Sequence, residues 1–313
     1  MSHALVLMLA MTVPTAEVKL EKSPQGVKVS IDDKPFTEYL TLSGAKPVLW
    51  PILGPTGAAM TRAYPLGEAP NEKRDHIHQR SLWFTHGSVN GVSFWDENKG
   101  HGTIVHKRFT TVESGTEGVL VAEDDWLGPD GKKICEDVRR LVFAQDGASR
   151  RIDFDITIKA SEGPVKFGDT KEGSFGIRVA ETLKVEAKLG GRIVNSEGQV
   201  DEKAWGQRAA WVDYHGPVDG KTVGIAVLNH PSSFRYPTWW HVRTYGLFAA
   251  NPFGAHDFTS GKEDGTHTLP KGESLTLRYR VLFHAGDEKE AKIAEAFEAY
   301  GKKSTTRQNA RLP

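Results

Sequence analysis

Asp75, His76, His78, Arg80 and His86 fall within twelve consecutive positions of the segment DHIHQRSLWFTHG, with Trp83 and Phe84 between them. Imidazole is the side chain that titrates nearest neutral pH, and guanidinium is a permanent cation that binds oxygen. On an extended strand the residues at 76, 78, 80, 82, 84 and 86 share one face, and Gln79, Ser81, Trp83 and Thr85 take the other. Burying such polar groups without partners costs several kcal/mol, so their concentration on one face reads as a site. Two chemistries fit. His76 and His78 form a His-x-His pair able to ligate a divalent metal, with His86, His215, His230 or His241 as a more distant ligand. A cupin would place a glutamate where Leu82 stands, so that pattern fails. Alternatively His76 and His78 act as acid and base on a hydroxylated substrate, with Arg80 binding an oxygen. No cofactor is required by the second chemistry.

Other residues extend the candidate site. WVDYHG sets Trp211, Asp213 and His215 at alternating positions, where an aspartate orients a histidine or serves as a base. GSFGIRVAE carries Arg178, and NHPSSFRYPTWWHVRTYGLFAANPFG carries Trp240, His241, Arg243 and Asn251. Trp95 follows the tight-turn pair Asn90-Gly91. Aromatic faces beside polar groups hold sugar rings, which points to a carbohydrate ligand stacked on Trp83, Trp95 or Trp240. His86, His215 or His241 is then the acid, Asp213 the base, and Arg178, Arg243 and Asn251 bind substrate. A glycan-binding module without turnover uses the same residues, and a metal-dependent oxygenase or lyase uses the histidines as ligands. The chain holds no Gly-rich phosphate loop, GxSxG elbow, HExxH helix or cysteine pair.

These residues must be held by strands. Ile152, Phe154, Ile156 and Ile158 alternate with Asp153, Asp155, Thr157 and Lys159, and Leu275 to Phe283 alternate likewise, the pattern of half-buried strands with Asp153 and Asp155 on the wet face. One helix is predicted near the end, capped by Asp287, with Ile293, Phe297 and Tyr300 at helical spacing and Gly301 closing it. The expected fold is all-β: a large antiparallel two-sheet super-sandwich in one domain over 17–303, with one C-terminal helix and a polar tail at 304–313.

The 40 basic and 40 acidic residues cancel, which gives no electrostatic reason for a nucleic-acid partner. The single cysteine, Cys135, excludes an internal disulfide and reads as a small core residue. The apolar run Ala4 to Val13, ending in Pro14, Thr15 and Ala16, reads as the core of a signal peptide over 1–16, and the protein is expected to be secreted or periplasmic. No later run approaches the ~18 apolar residues of a membrane helix, so no integral membrane span is expected.

Taken together, DHIHQRSLWFTHGSVNGVSFW, GSFGIRVAETL and PTWWHVRTYGLFAANPFG resemble the PmoA-like family, whose first motif has proline and histidine where Ile77 and Gln79 stand. The resemblance covers nearly the whole chain after the leader. It implies a galactose-mutarotase-like super-sandwich, the fold of aldose epimerases and several polysaccharide lyases, in which a histidine and a carboxylate act on a sugar in an open groove. The methane-oxygenase label attached to that family implies a membrane subunit, and the missing apolar spans argue against it.

Overall fold

The computed structural model describes residues 16–302. The period-two segments form two eight-stranded antiparallel sheets. The first runs in the order β1 (Val18–Lys22), β2 (Gly26–Ile31), β3 (Lys34–Ser43), β4 (Lys46–Leu49), β5 (Leu82–His86), β11 (Gly173–Arg178), β16 (Leu247–Asn251) and β15 (Trp239–Val242). The second runs β12 (Arg192–Asn195), β13 (Trp211–Val218), β14 (Lys221–Asn229), β18 (Ser274–Ala285), β9 (Ser149–Lys159), β8 (Lys133–Asp146), β7 (Gly118–Leu127) and β6 (Thr103–Glu113). A small ribbon pairs β10 (Val165–Phe167) with β17 (His267–Leu269). The fold is the expected all-β two-sheet super-sandwich. The leader and tail expected at 1–16 and 304–313 lie outside the described residues, save for Ala16.

The inner faces of both sheets share one core. Phe175 on β11 stacks on Tyr279 of β18 at 4.6 Å, and Phe84 on β5 meets Trp126 of β7 at 6.3 Å. Cys135 lies in this core. Period two also turns charge inward at one place, because Asp124, Asp137 and Arg139 occupy inward positions. The Arg139 Nε sits 3.0 Å from both Asp137 Oδ1 and Asp124 Oδ2, and Trp126 Nε1–H donates to Asp137 at 2.7 Å. Two carboxylates and one guanidinium, all buried, survive there because each satisfies the other.

The outer faces are covered differently. On the second sheet α2 (Ile293–Lys302) packs Ile293 and Tyr300 against Trp211, Ala226, Leu228 and Leu282. Asp287 Oδ1 accepts the N–H groups of Lys289 and Glu290, so it caps a turn that precedes the helix. Gly301 is itself helical and does not end α2, contrary to expectation. Because α2 lies over this face, Asp153 is not solvated as its alternation implied. It is buried and takes a bidentate pair from Arg280 at 2.6 and 2.9 Å. Loops cover the outer face of the first sheet. Asn90 and Gly91 both take positive φ between the bridged Val89 and Val92, so they do form the tight turn expected of them. Among the described residues no helix is long and apolar enough to cross a membrane.

Replacing Arg139 with Met strands two buried carboxylates and is expected to cost about 3–5 kcal/mol, the scale for breaking a buried pair. Chemical denaturation checks this, and a loss below ~1 kcal/mol shows that the network is not needed.

Candidate functional site

The His76, His78 and Arg80 segment is not a strand. The chain turns at His76, with φ +44°, and the Gln79 N–H donates to the His76 carbonyl at 2.9 Å. It turns again at Ser81, with φ +54°, and β5 begins only at Leu82. The single face predicted from 76 to 86 therefore does not exist. Within β5, Leu82 and Phe84 enter the core, while Trp83 joins the outer cluster.

Two buried arginines impose these turns. Arg62 donates to the carbonyls of Lys73, His76 and Gln79 at 3.2, 3.0 and 3.1 Å, and to Asp75 Oδ1 at 2.7 Å. Arg178, which could have been a surface arginine, is fully buried. It donates to the same Asp75 oxygen at 2.9 Å and to the Gln79 side-chain oxygen. A strand would point those carbonyls at a neighbouring strand; here the guanidiniums satisfy them instead. Burial pushes the Asp75 carboxyl up, but Arg178, His76 and Arg62 outweigh it and hold it below the usual range.

The clamp presents a row of rings. His76 stacks nearly parallel on Tyr245, centroids 5.3 Å apart and planes at 8°, with its Nδ1 3.2 Å from Asp75. The Arg178 guanidinium lies 4.8 Å from the Tyr245 ring centroid. His78 meets His76 edge-on at 5.8 Å and lies 6.2 Å from Trp95, and its Nε2 is 3.9 Å from Asp96. Burial, with Lys46 and His76 nearby, lowers the His78 pKa to about 4, so this part-exposed imidazole is neutral near pH 7. Arg80 faces away from the histidines, in a bidentate pair with Glu97 at 2.9 and 2.6 Å. Glu97 also accepts from the buried Lys46 at 3.1 Å. Burial lowers the Lys46 pKa to about 8 although Glu97 resists. Glu172, in the segment before β11, has its pKa raised by burial and by the charges of Asp96 and Asp257 against the opposing pull of Lys171.

The tryptophans do not serve as open platforms. Trp83 and Trp95 are buried, 5.2 Å apart, behind His78, and neither indole N–H has a partner among the described residues. Trp240 belongs to the core, its Nε1–H donating to Ala209 at 3.0 Å. Both changes follow from alternation: Trp240 points inward, whereas His241 takes the outer face opposite Ala249. His241 is buried, with Nδ1 2.8 Å from the Lys171 carbonyl. Arg243, at the exposed turn, lies 5.8 Å from the Tyr245 ring. Asn251 is buried and structural, donating to Thr170 at 2.9 Å and accepting from the Phe253 N–H at 2.9 Å. His86 is likewise committed, between Ser174 Oγ at 3.2 Å and the Gly168 carbonyl at 2.7 Å.

Asp213 and His215 do not join this site. They lie on β13 of the second sheet, on the outer side under the C-terminal segment, while their neighbour Tyr214 points into the core. The sequence clusters therefore separate into one group on each sheet's outer face and a buried remainder. His76 and His78 belong to no cluster of three metal-capable groups among the described residues; Asp213, His215 and Glu288 form such a cluster. Sequence reasoning missed Arg62, Lys46, Glu97 and Glu172. Of these only Glu97 carried a signal, as the second acid after the aromatic pair in SFWDE.

With this fold and site the chain belongs to DUF6807, a family of unknown function, whose profile matches residues 26–298. No curated protein matches it. Among solved structures it is similar to a glycoside hydrolase family 97 enzyme in complex with acarbose from Pseudoalteromonas sp. strain K8, at 12% identity and TM-score 0.34. That match covers 86% of this chain and 34% of the hydrolase, so the chain spans about a third of its length. It is also similar to a protein from Escherichia coli K12 provisionally assigned as an aldose 1-epimerase, at 10% identity and TM-score 0.37, covering 86% of this chain and 99% of that one. Identities and scores this low say nothing about the site, which rests on its own residues.

Burial lowers the pKa of both His86 and His241 to about 4. The unfolded chain takes up these protons as pH falls below about 6.5, whereas the folded chain does not until about 4. Stability is therefore greatest above pH 6.5 and falls as pH drops from there towards 4. Denaturation midpoints across that window are expected to decline, and His241→Asn to reduce the proton uptake on unfolding by about one. An unchanged slope in the variant contradicts the assignment.

Proposed function

We propose that the chain is a carbohydrate-active enzyme, an isomerase, lyase or hydrolase, working at the outer face of the first sheet. The observation that carries this reading is the neutral, part-exposed His78 beside the Asp96 carboxylate and next to the stacked His76–Tyr245 pair. A neutral imidazole is ready to accept a proton, and burial shifts the Glu172 carboxyl upward, the direction that favours a proton donor. Epimerisation, elimination and glycoside hydrolysis all need that division of labour on a sugar. Tyr245, part-exposed with His76 stacked against it, offers an aromatic contact for a sugar ring, and Asp75, Asp96, Glu172 and His76 offer acceptors and donors for its hydroxyls.

In the proposed step the other nitrogen of the His78 imidazole takes a proton from a sugar hydroxyl or carbon, while Nε2 stays towards Asp96. Glu172 delivers one to the ring or leaving oxygen, and Asp96 stabilises the imidazolium formed. Arg62, Arg178 and Asp75 act by positioning, because they fix the turn that carries His76 and His78. Arg80 and Lys46 stay paired with Glu97 and take no part in the step.

Product analysis over a panel of monosaccharides and oligosaccharides tests the reading. His78→Asn is expected to lower kcat by about 10²–10⁴-fold with the circular dichroism spectrum unchanged. Tyr245→Ala is expected mainly to raise KM, by about 2–12-fold for a lost ring contact of 0.5–1.5 kcal/mol. Turnover indifferent to His78→Asn refutes the assignment, and binding without turnover across the panel replaces it with a glycan-binding module.

A further inference from the structure

On the outer face of the second sheet a separate cluster joins β13, β18 and the segment leading to α2. Asp213 is fully buried, yet among the described residues its ionic partners are two imidazoles and no lysine or arginine. Its Oδ1 lies 2.6 Å from His215 Nδ1, and its Oδ2 lies 2.6 Å from His284 Nε2. Glu288 Oε2 approaches the same His215 Nδ1 to 3.7 Å. Removing a carboxylate from water without a lasting counter-charge costs several kcal/mol, and an imidazole supplies that charge only while protonated.

We propose that Asp213, His215 and Glu288 bind one divalent transition-metal ion of the zinc class, which ties the C-terminal helical segment to the second sheet. Two oxygens and one imidazole nitrogen are a donor set zinc accepts, and the donor atoms of all three residues lie within 4.8 Å of one another. Tetrahedral zinc with bonds of roughly 2.1 Å holds its ligands roughly 3.3 Å apart. The 2.6 Å and 3.7 Å separations bracket that spacing, so small side-chain adjustments suffice. The ion displaces the proton shared between His215 Nδ1 and Asp213 and releases it to solvent. His284 keeps its contact to Asp213 Oδ2 and thereby fixes the carboxylate, the supporting role commonly found behind a metal ligand. The cluster is remote from His78 in the fold, on the other sheet, so the proposal stands independently of the sugar site.

Calorimetric titration of the EDTA-stripped full chain with zinc chloride, paired with thermal melts, tests it. One equivalent of zinc is expected to bind and raise Tm. Glu288→Gln, a near-isosteric change at a partly exposed position, is expected to abolish both effects while its metal-free melt stays near that of the parent. His284→Gln is expected to weaken zinc binding about 10–100-fold without changing the stoichiometry. No zinc-dependent rise in Tm for the parent overturns the proposal, leaving an aspartate clamped by two histidines. Equal zinc binding by the parent and Glu288→Gln also overturns it, since the ion then sits elsewhere.

Discussion

One carboxylate oxygen, Asp75 Oδ1, holds two buried guanidiniums, Arg62 at 2.7 Å and Arg178 at 2.9 Å, and the candidate site depends on that junction. Two cations this close repel strongly in a medium poorer than water, and burial pushes both of their pKa values down. The shared oxygen offsets the repulsion. Arg62 also donates to the carbonyls of Lys73, His76 and Gln79, while the Nε of each arginine is buried without a partner among the described residues. That arrangement folds the chain back before β5 and lifts His76 and His78 out of the strand on which they would otherwise lie. The backbone adds to it, since the Arg62 N–H donates to the Arg178 carbonyl and the Arg178 N–H to Ser81.

Because the site is built on loops over one sheet, the core beneath it is free to be ordinary. The inner faces carry mainly aromatic and aliphatic side chains, with a paired ionic group around Arg139 among them. The outer faces carry the polar clusters. The first sheet presents His76, His78, Asp96, Glu172 and Tyr245, with the neutral His78 beside Asp96. The second sheet presents the Asp213 cluster beneath a helix. Rigid sheets with functional loops on their faces are a common division of labour in sandwiches.

The fold was legible because period two persists through long strands: Ile152 to Ile158 and Leu275 to Phe283 face the core as their alternation requires. The site was legible in its residue types and only partly in its geometry. The same alternation rule, carried six residues too far, merged His76, His78 and Arg80 with His86 on one face. Nothing local in DHIHQRS announces the turns at His76 and Ser81, because their cause is Arg62 and Arg178, 14 and 103 positions away from the atoms they hold. Tryptophans read as sugar platforms proved to be walls, since sequence cannot tell a covered outer face from an open one. Asp153 illustrates the converse, being covered by a helix more than a hundred residues later.

The most direct test of the proposed sugar site is a crystal structure of the His78→Asn variant soaked with a sugar that product analysis shows the parent protein to convert. The account predicts the ring lying on Tyr245, with hydroxyls reaching Asp96 and Glu172 and a reacting oxygen or carbon facing position 78. A sugar seated on the second sheet beside Asp213, or one that leaves position 78 untouched, contradicts it.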